Sequence, residues 1–480
     1  MAVDLSVPLS WKAAAGDAVI LLEELQSNIV KAHVRDFLSV LLLHFNNRAD
    51  ARGFLGALVA LMRSAKTHLE EVEAFAATGA AGSPYVGVGL THAGYGALGI
   101  ATAPTDTSFS RGMTDPASRQ ALGDPPLSVW ETPYRQVPPE LAIHAVVLIG
   151  DASDAPVSAR REEILALLPD TATVLGEETG LALRNADGDG IEHFGYIDGR
   201  SQPLFLTEDL DAEREGTDGT HVWDPAAPLE QVLVADPGAP DPTRHFGSYF
   251  IFRKLEQNVR RFFQAEQDLA DALGLSGADR DLAGAMLVGR FRDGTPLILQ
   301  RAGGAHQPIM NNFSYDSDPQ GAKCPFQAHI RKTNPRGSGG FEPPAGERRH
   351  LMVRRGQTYG ERADVPFDAS VPVQQRPTAG VGLLFMAFNA TINIQDNPGA
   401  AQFDFTQSVW ANNPDFPAVP TGTTPPGLDP VIGQGTRPAQ TYPTRWAGPA
   451  ATEVDAIAQA VRMNGGEYFF MPSLAFLRSL

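Results

Sequence analysis

The chain has 480 residues, enough for one large domain or two to three ordinary ones, and its 43% hydrophobic and 20% charged content is that of a folded protein with ample core. A formal net charge of −18 argues against general affinity for nucleic acid or an anionic membrane, both of which reward basic patches. The single cysteine, Cys324, excludes an intramolecular disulfide and a multi-cysteine zinc cluster.

The amino terminus lacks a basic region followed by an apolar run and has no twin-arginine pair, and no stretch approaches the roughly 20 apolar residues of a membrane span, so the expected location is cytoplasmic. Residues 12–30 read as a mixed-polarity helix, and Val34 to Phe45 as a short buried strand. Phe54, Leu55, Leu58, Leu61 and Met62 recur at i, i+3, i+4 spacing, which predicts a helix over about 50–64. Tyr85 to Leu90 reads as a strand, 104–141 as a long loop rich in proline, and Ala142 to Gly150 as a strand. A helix over 156–168 follows, with Ile164, Leu165 and Leu168 on one face, then a strand over 171–176.

That order is the split βαβ arrangement of a ferredoxin-like domain. It recurs downstream: a strand at Tyr249 to Arg253, a helix from Glu256 to Leu273, strands at Arg349 to Arg354 and Gly382 to Asn389, a helix near 391–411, and a strand at Glu467 to Met471. The repeat is one of element order, without a repeat of sequence. The expected fold class is therefore α+β: a ferredoxin-like domain over 1–210, an acidic, proline-containing linker over 211–245, and a second ferredoxin-like domain over 246–480. Two further stretches, 299–348 and 414–450, hold many Gly, Pro and polar residues, and loops that long are usually functional or disordered.

Two segments carry the chemistry. In Phe194-Gly-Tyr-Ile-Asp-Gly-Arg-Ser-Gln-Pro203, two glycines bracket Asp198, and glycine permits a positive φ and close approach of another body. Taken alone this is a common surface turn. In Cys324-Pro-Phe-Gln-Ala-His-Ile-Arg-Lys-Thr-Asn-Pro-Arg336, His329 is followed by Asn334 and Arg336. An imidazole flanked by such an arginine suits a haem, whose iron takes a nitrogen ligand and whose propionates pair with cations. Downstream, Arg354 and Arg355 should point to opposite faces of a strand, one into a pocket and the other into solvent. Gly382 to Asn389 reads as a buried strand that could wall that pocket.

Taken together, these segments resemble the dye-decolorising peroxidase family. The resemblance lies in GYIDGRSQP at 195–203, with the family's Gly-x-x-Asp-Gly motif, in AHIRKTNPR at 328–336, RRGQTYG at 354–360, GLLFMAFNA at 382–390 and EYFFMPS at 467–473. Weaker likeness reaches SFSRGM at 108–113 and ALGD at 121–124, so it touches most of the chain. It implies two ferredoxin-like domains with one haem b per chain, held non-covalently because a Cys-x-x-Cys-His attachment is absent. By position, His329 matches the proximal iron ligand, Asp198 and Arg354 the pair over the other haem face, and Arg336 a residue meeting a propionate. Leu383 and Phe385 match residues lining the distal side, with Asn334, Ile197 and Gly199 beside them in the motifs. Where some bacterial members have an asparagine two places after the distal arginine, this chain has Gly356, as in the longer, intracellular branch.

The activity so implied is oxidation of dyes, phenols or other organic donors by hydrogen peroxide through a ferryl intermediate, with the chain a monomer or a homodimer. Asp198 would shuttle a proton between the peroxide oxygens while Arg354 stabilises the departing charge. A carboxylate accepting the other ring proton of His329 would push electron density to the iron, and Asp404 is the expected one. For bulky donors the resemblance implies a surface Tyr or Trp, with Trp410, Tyr359 and Tyr196 nearest the motifs. Two alternatives stay open: a haem carrier, sensor or iron-release protein with low turnover, and a non-haem ferredoxin-like binding module.

Overall fold

The computed structural model describes residues 2–33, 35–304, 308–366, 368, 370–448 and 451–480; Val34, where the first strand was expected to start, lies outside them. A helix, α1 (Asp17–Glu24), precedes a split βαβ unit built from β1 (Phe37–Phe45), the helices α2 (Arg48–Leu58) and α3 (Ala65–Thr78), β2 (Tyr85–Leu90), β3 (Ala145–Asp151), α4 (Asp154–Leu167) and β4 (Ala172–Leu181). A second unit follows with β5 (Phe246–Gln257), α5 (Val259–Ala272), the short α6 (His329–Thr333), β6 (Val353–Arg354), β7 (Gln357–Tyr359), β8 (Gly382–Asn389) and β9 (Val461–Met471).

All of these strands lie in one antiparallel sheet of order β7-β8-β5-β9-β2-β3-β1-β4, with β6 also paired to β8. Within each unit the order runs second, third, first, fourth strand, which is the ferredoxin-like arrangement twice over. The two units meet edge to edge through a single register pair, Phe470 opposite Leu90. The sheet then curls until its outer strands touch: Thr358 Oγ1 donates to the Leu181 carbonyl, and the Leu183 N–H donates back to that hydroxyl. Closing a sheet in this way removes exposed edges. The central strands carry near-continuous apolar runs such as Phe37-Leu-Ser-Val-Leu-Leu-Leu-His-Phe45 because both faces are covered.

Several elements differ from the sequence expectation for local reasons. The helix expected over 12–30 stops at Glu24, because Gln26 turns inward and its side chain pairs with the backbone of Val88 and the carbonyl of Pro472. The helix expected near 391–411 begins only at Phe403 and continues as a π-helix over Thr406–Ala411; Asn397-Pro-Gly399 breaks the segment before it. The loop at 104–141 contains three short helices and buries Trp130 and Tyr134. Residues 211–245 complete the helix Thr207–Gly216 and then pack Trp223, Leu229, Val232 and Asp236 into the body. Arg355 does point away from Arg354, but it is buried, donating to the carbonyls of Asn28 and Ile29. Among the described residues no helix is long and apolar enough to cross a membrane.

Candidate active site

The second unit holds a deep pocket between the face of β5 and β8 and the long segments 288–336 and 403–434. Strand alternation supplies one wall: Leu383 and Phe385 of β8 face the pocket while Leu384 and Met386 lie in the core. Arg253, Leu255 and Gln257 do the same from β5.

The glycine turn forms a second wall. Gly195 and Gly199 have φ of 90° and 89°, values costly for other residues, and an added Cβ at Gly195 would meet the Pro366 carbonyl at 3.0 Å. Glu192 ties the turn together: its carboxylate accepts the N–H groups of Phe194 (2.8 Å) and Tyr196 (3.0 Å). Burial pushes this carboxyl up to about 7 despite those donors. Ile197, Asp198 and Gly199 border the cavity, and Asp198 Oδ1 lies 3.2 Å from Arg354 Nη1, both side chains about a third exposed toward it.

His329 opens α6, and its ring faces the same cavity. Its Nδ1 is 2.8 Å from Oδ2 of Asp429, a carboxylate with no exposed surface, which leaves Nε2 as the ring nitrogen able to take a ligand. Burial opposes charge on both groups, but their mutual attraction prevails, raising the imidazole above its ordinary pKa and holding the carboxyl below its own. Oδ1 of Asp429 accepts the N–H groups of Val431 and Ile432, so the carboxylate is fixed in direction. The expected partner, Asp404, does something else: it accepts from Ser108 Oγ (2.5 Å) and Tyr468 OH (3.3 Å), away from His329. The reason is that Asp404 sits at the start of the shortened helix and faces the seam between the two units.

A cationic corner completes the site. Arg336 donates to the carbonyls of Asn311 and Phe313, to Ser201 Oγ and to the Asn311 amide oxygen. Arg290, absent from the sequence expectation, donates to the carbonyls of Gly294 and Met310 and reaches Ser201 Oγ at 3.4 Å. Both are buried pocket residues that donate to neutral acceptors, and burial lowers both below the usual guanidinium range. Asn334 also borders the cavity with its buried Nδ2 unpartnered. The sequence thus brought Asp198, Arg354, His329, Arg336, Asn334, Leu383, Phe385, Ile197 and Gly199 to one cavity, and missed Asp429, Glu192 and Arg290. Trp410, Tyr196 and Tyr359 are all buried, so none is a surface residue.

No family model matches the chain. Individual relatives do. It is 62% identical over 481 residues to the multifunctional dye peroxidase DyP2 of Amycolatopsis sp., covering 100% of both chains. It is 31% identical to peroxidase 2 of Mycetinis scorodonius, over 82% of this chain and 76% of that one. The solved structure of DyP2 from Amycolatopsis superposes with a TM-score of 0.95 over 100% of both chains. A DyP-type peroxidase of Anabaena sp., 35% identical, superposes with a TM-score of 0.89 over 99% of this chain and 98% of its own. The chain belongs to the dye-decolorising peroxidase family.

Proposed function

We propose that the pocket holds one non-covalent haem b per chain and that the enzyme uses hydrogen peroxide to oxidise dyes, phenols or other organic donors. The observation that carries this reading is the pairing of two devices in one cavity: His329 with Asp429 behind it, and Asp198 with Arg354. The donor set fits the cofactor. Among the described residues no group of three or more His, Cys, Asp or Glu is arranged to hold a metal ion, so a metal at His329 must bring most of its own ligands, as porphyrin iron does. Buried Arg290 and Arg336, beside the unpartnered amide of Asn334, suit an anionic edge such as the haem carboxylates. Leu383, Phe385 and Ile197 supply the apolar surface a porphyrin needs.

When bound, the haem supplies the redox chemistry that cleaves peroxide. The chain's own residues do the rest. His329 offers Nε2 to the iron, and Asp429, by accepting the Nδ1 proton, fixes the ring and raises its basicity. Asp198 takes a proton from one peroxide oxygen and returns it to the other, which departs as water. Arg354 directs N–H groups at the negative charge that develops on the departing oxygen. The two ferredoxin-like units, 1–210 and 246–480 with 211–245 between them, divide the work: the first contributes the Asp198 turn and the second everything else.

A carrier or sensor needs the histidine but not an acid–base pair opposite it, and the Asp198–Arg354 contact favours the peroxidase. The test is an absorption spectrum after haem reconstitution, repeated for His329→Ala and then with peroxide and an anthraquinone dye. A strong Soret band that responds to peroxide, bleaches the dye and is lost or altered in the variant is expected. A band indifferent to peroxide would replace enzyme by carrier; no band would end the haem reading.

A further inference from the structure

Lys332 has no exposed surface, yet its ammonium makes no hydrogen bond to a carboxylate. Nζ donates to the Asn413 carbonyl (2.8 Å) and the Gly427 carbonyl (2.6 Å). Burying an ammonium on neutral acceptors is costly, and burial presses the Lys332 pKa down to about 7. Such a group is tolerated where its position matters to its surroundings.

The surroundings are the support of Asp429. Asn413 and Gly427 are the two ends of the loop 414–426, and the neck is closed by the Gly427 N–H on the Pro414 carbonyl at 2.9 Å. Two residues beyond each end, the Asp429 N–H donates to the Ala411 carbonyl. Successive carbonyls in this strap point to different partners: those of Pro426 and Leu428 accept from Gln440 Nε2, and that of Gly427 faces Lys332. On α6, Lys332 follows His329 by three positions, so both side chains leave the same face of one turn. One helical turn therefore grips the strap at Gly427 with an amine and meets it at Asp429 with an imidazole.

We infer that Lys332 is a positioning residue for the proximal side of the site: it clamps the neck of the 414–426 loop so that Asp429 Oδ2 stays within hydrogen-bond reach of His329 Nδ1. The inference rests on His329 as the iron ligand. Loosening the strap lengthens the Nδ1–H bond to Asp429, lessens the basicity of the ring and weakens its bond to iron. A carboxylate that merely lost a neighbouring cation would become more basic and do the opposite, so the sign of the effect separates the two roles.

The measurement is the iron–histidine stretching band in resonance Raman spectra of the ferrous holoenzyme, for the parent, Lys332→Met, Lys332→Gln, Asp429→Asn and the Lys332→Met/Asp429→Asn double variant. Asp429→Asn is expected to lower the frequency, Lys332→Met to lower it less, and Lys332→Gln, which keeps an amide donor, least. The double variant should move no further than Asp429→Asn, because the lysine acts through the aspartate. An unmoved or raised band in Lys332→Met, or additive shifts in the double variant, overturns the clamp. Should Lys332→Met give no folded protein, Lys332→Ala, which likewise removes the donor, carries the same test, and an unmoved or raised band there overturns it. A parent with no iron–histidine band overturns the assignment of His329 itself.

Discussion

Arg354 Nη1 lies 3.2 Å from Asp198 Oδ1, while its Nη2 donates to the carbonyl of Arg200 at 3.0 Å and its backbone N–H to Gln202 Oε1 at 3.0 Å. The guanidinium is thus tied to the glycine turn at Asp198 and again at Arg200, two residues beyond it, and a donor and an acceptor face the cavity in fixed relation. Fixed dipoles of this kind need no reorganisation as charge develops.

The first prediction concerns that pair. Arg354→Leu should slow the reaction of the haem-loaded enzyme with peroxide by about 10²–10³-fold, the usual loss for one oxyanion donor. Asp198→Asn should cost about 10²–10⁴-fold, the range for a general acid–base group. Both should keep their haem, because neither supplies the ligand or the cationic corner. The double variant should lose little more than the worse single one, since the two act on the same proton and charge. Stopped-flow absorbance at equal haem content reads all three, and multiplying losses would show that the residues act separately.

Asp429 supplies the second. A carboxylate on His329 Nδ1 makes the ring a stronger donor and favours the oxidised iron. Asp429→Asn should therefore raise the ferric/ferrous midpoint potential. Asp404→Asn, whose parent residue contacts Ser108 and Tyr468, should leave it where it was. Spectroelectrochemical titration decides, and a potential that follows Asp404 instead would reverse the assignment.

The route from sequence to structure broke at points with a physical explanation. Strands and helices with strong periodicity, such as Tyr85–Leu90 and Val259–Ala272, were legible because local pattern and tertiary role agree. Asp198, His329 and Arg354 were legible because each lies in a compact motif. Asp429 was not: it stands 100 residues from His329 in a loop of Gly, Pro and polar residues, and only the folded strap brings it near. Arg290 follows a helix that reads as ordinary core, so nothing local distinguished it from a surface arginine. Gln26 ended a helix early because its amide was needed by backbone 62 residues away, a demand no local pattern records.

The cationic corner gives the third prediction. Arg336 stacks on Phe313 at 3.7 Å and on Trp223 at 4.6 Å, which holds its plane still. If it meets a haem carboxylate, Arg336→Leu removes a charge-assisted hydrogen bond of about 1.5–3 kcal/mol. That corresponds to about 10- to 100-fold weaker haem binding. Arg290→Leu should weaken binding in the same direction, since the two guanidiniums share Ser201. Haem titration of the cofactor-free protein measures both, and unchanged affinity in both variants would place the carboxylates elsewhere.

Asp404 makes the last prediction, which needs no cofactor. Burial pushes its carboxyl up to about 7 from an ordinary 3.8, against the hydrogen bonds from Ser108 and Tyr468. Between those pH values the unfolded chain has released the proton and the folded chain still holds it. Stability from this group is therefore complete below about pH 4 and falls as pH rises toward 7. The full loss is roughly 4 kcal/mol at 1.36 kcal/mol per unit. Glu192, half-buried and likewise raised to about 7 by desolvation, slopes the same way and remains in place when Asp404 is changed. Denaturant unfolding of the haem-free protein from pH 4 to 7.5 should thus show a shallower decline for Asp404→Asn than for the parent, with the variant gaining relative stability toward neutral pH. Parallel curves would mean that Asp404 is ionised in the fold, and that Ser108 and Tyr468 hold an anion at the seam between the two units.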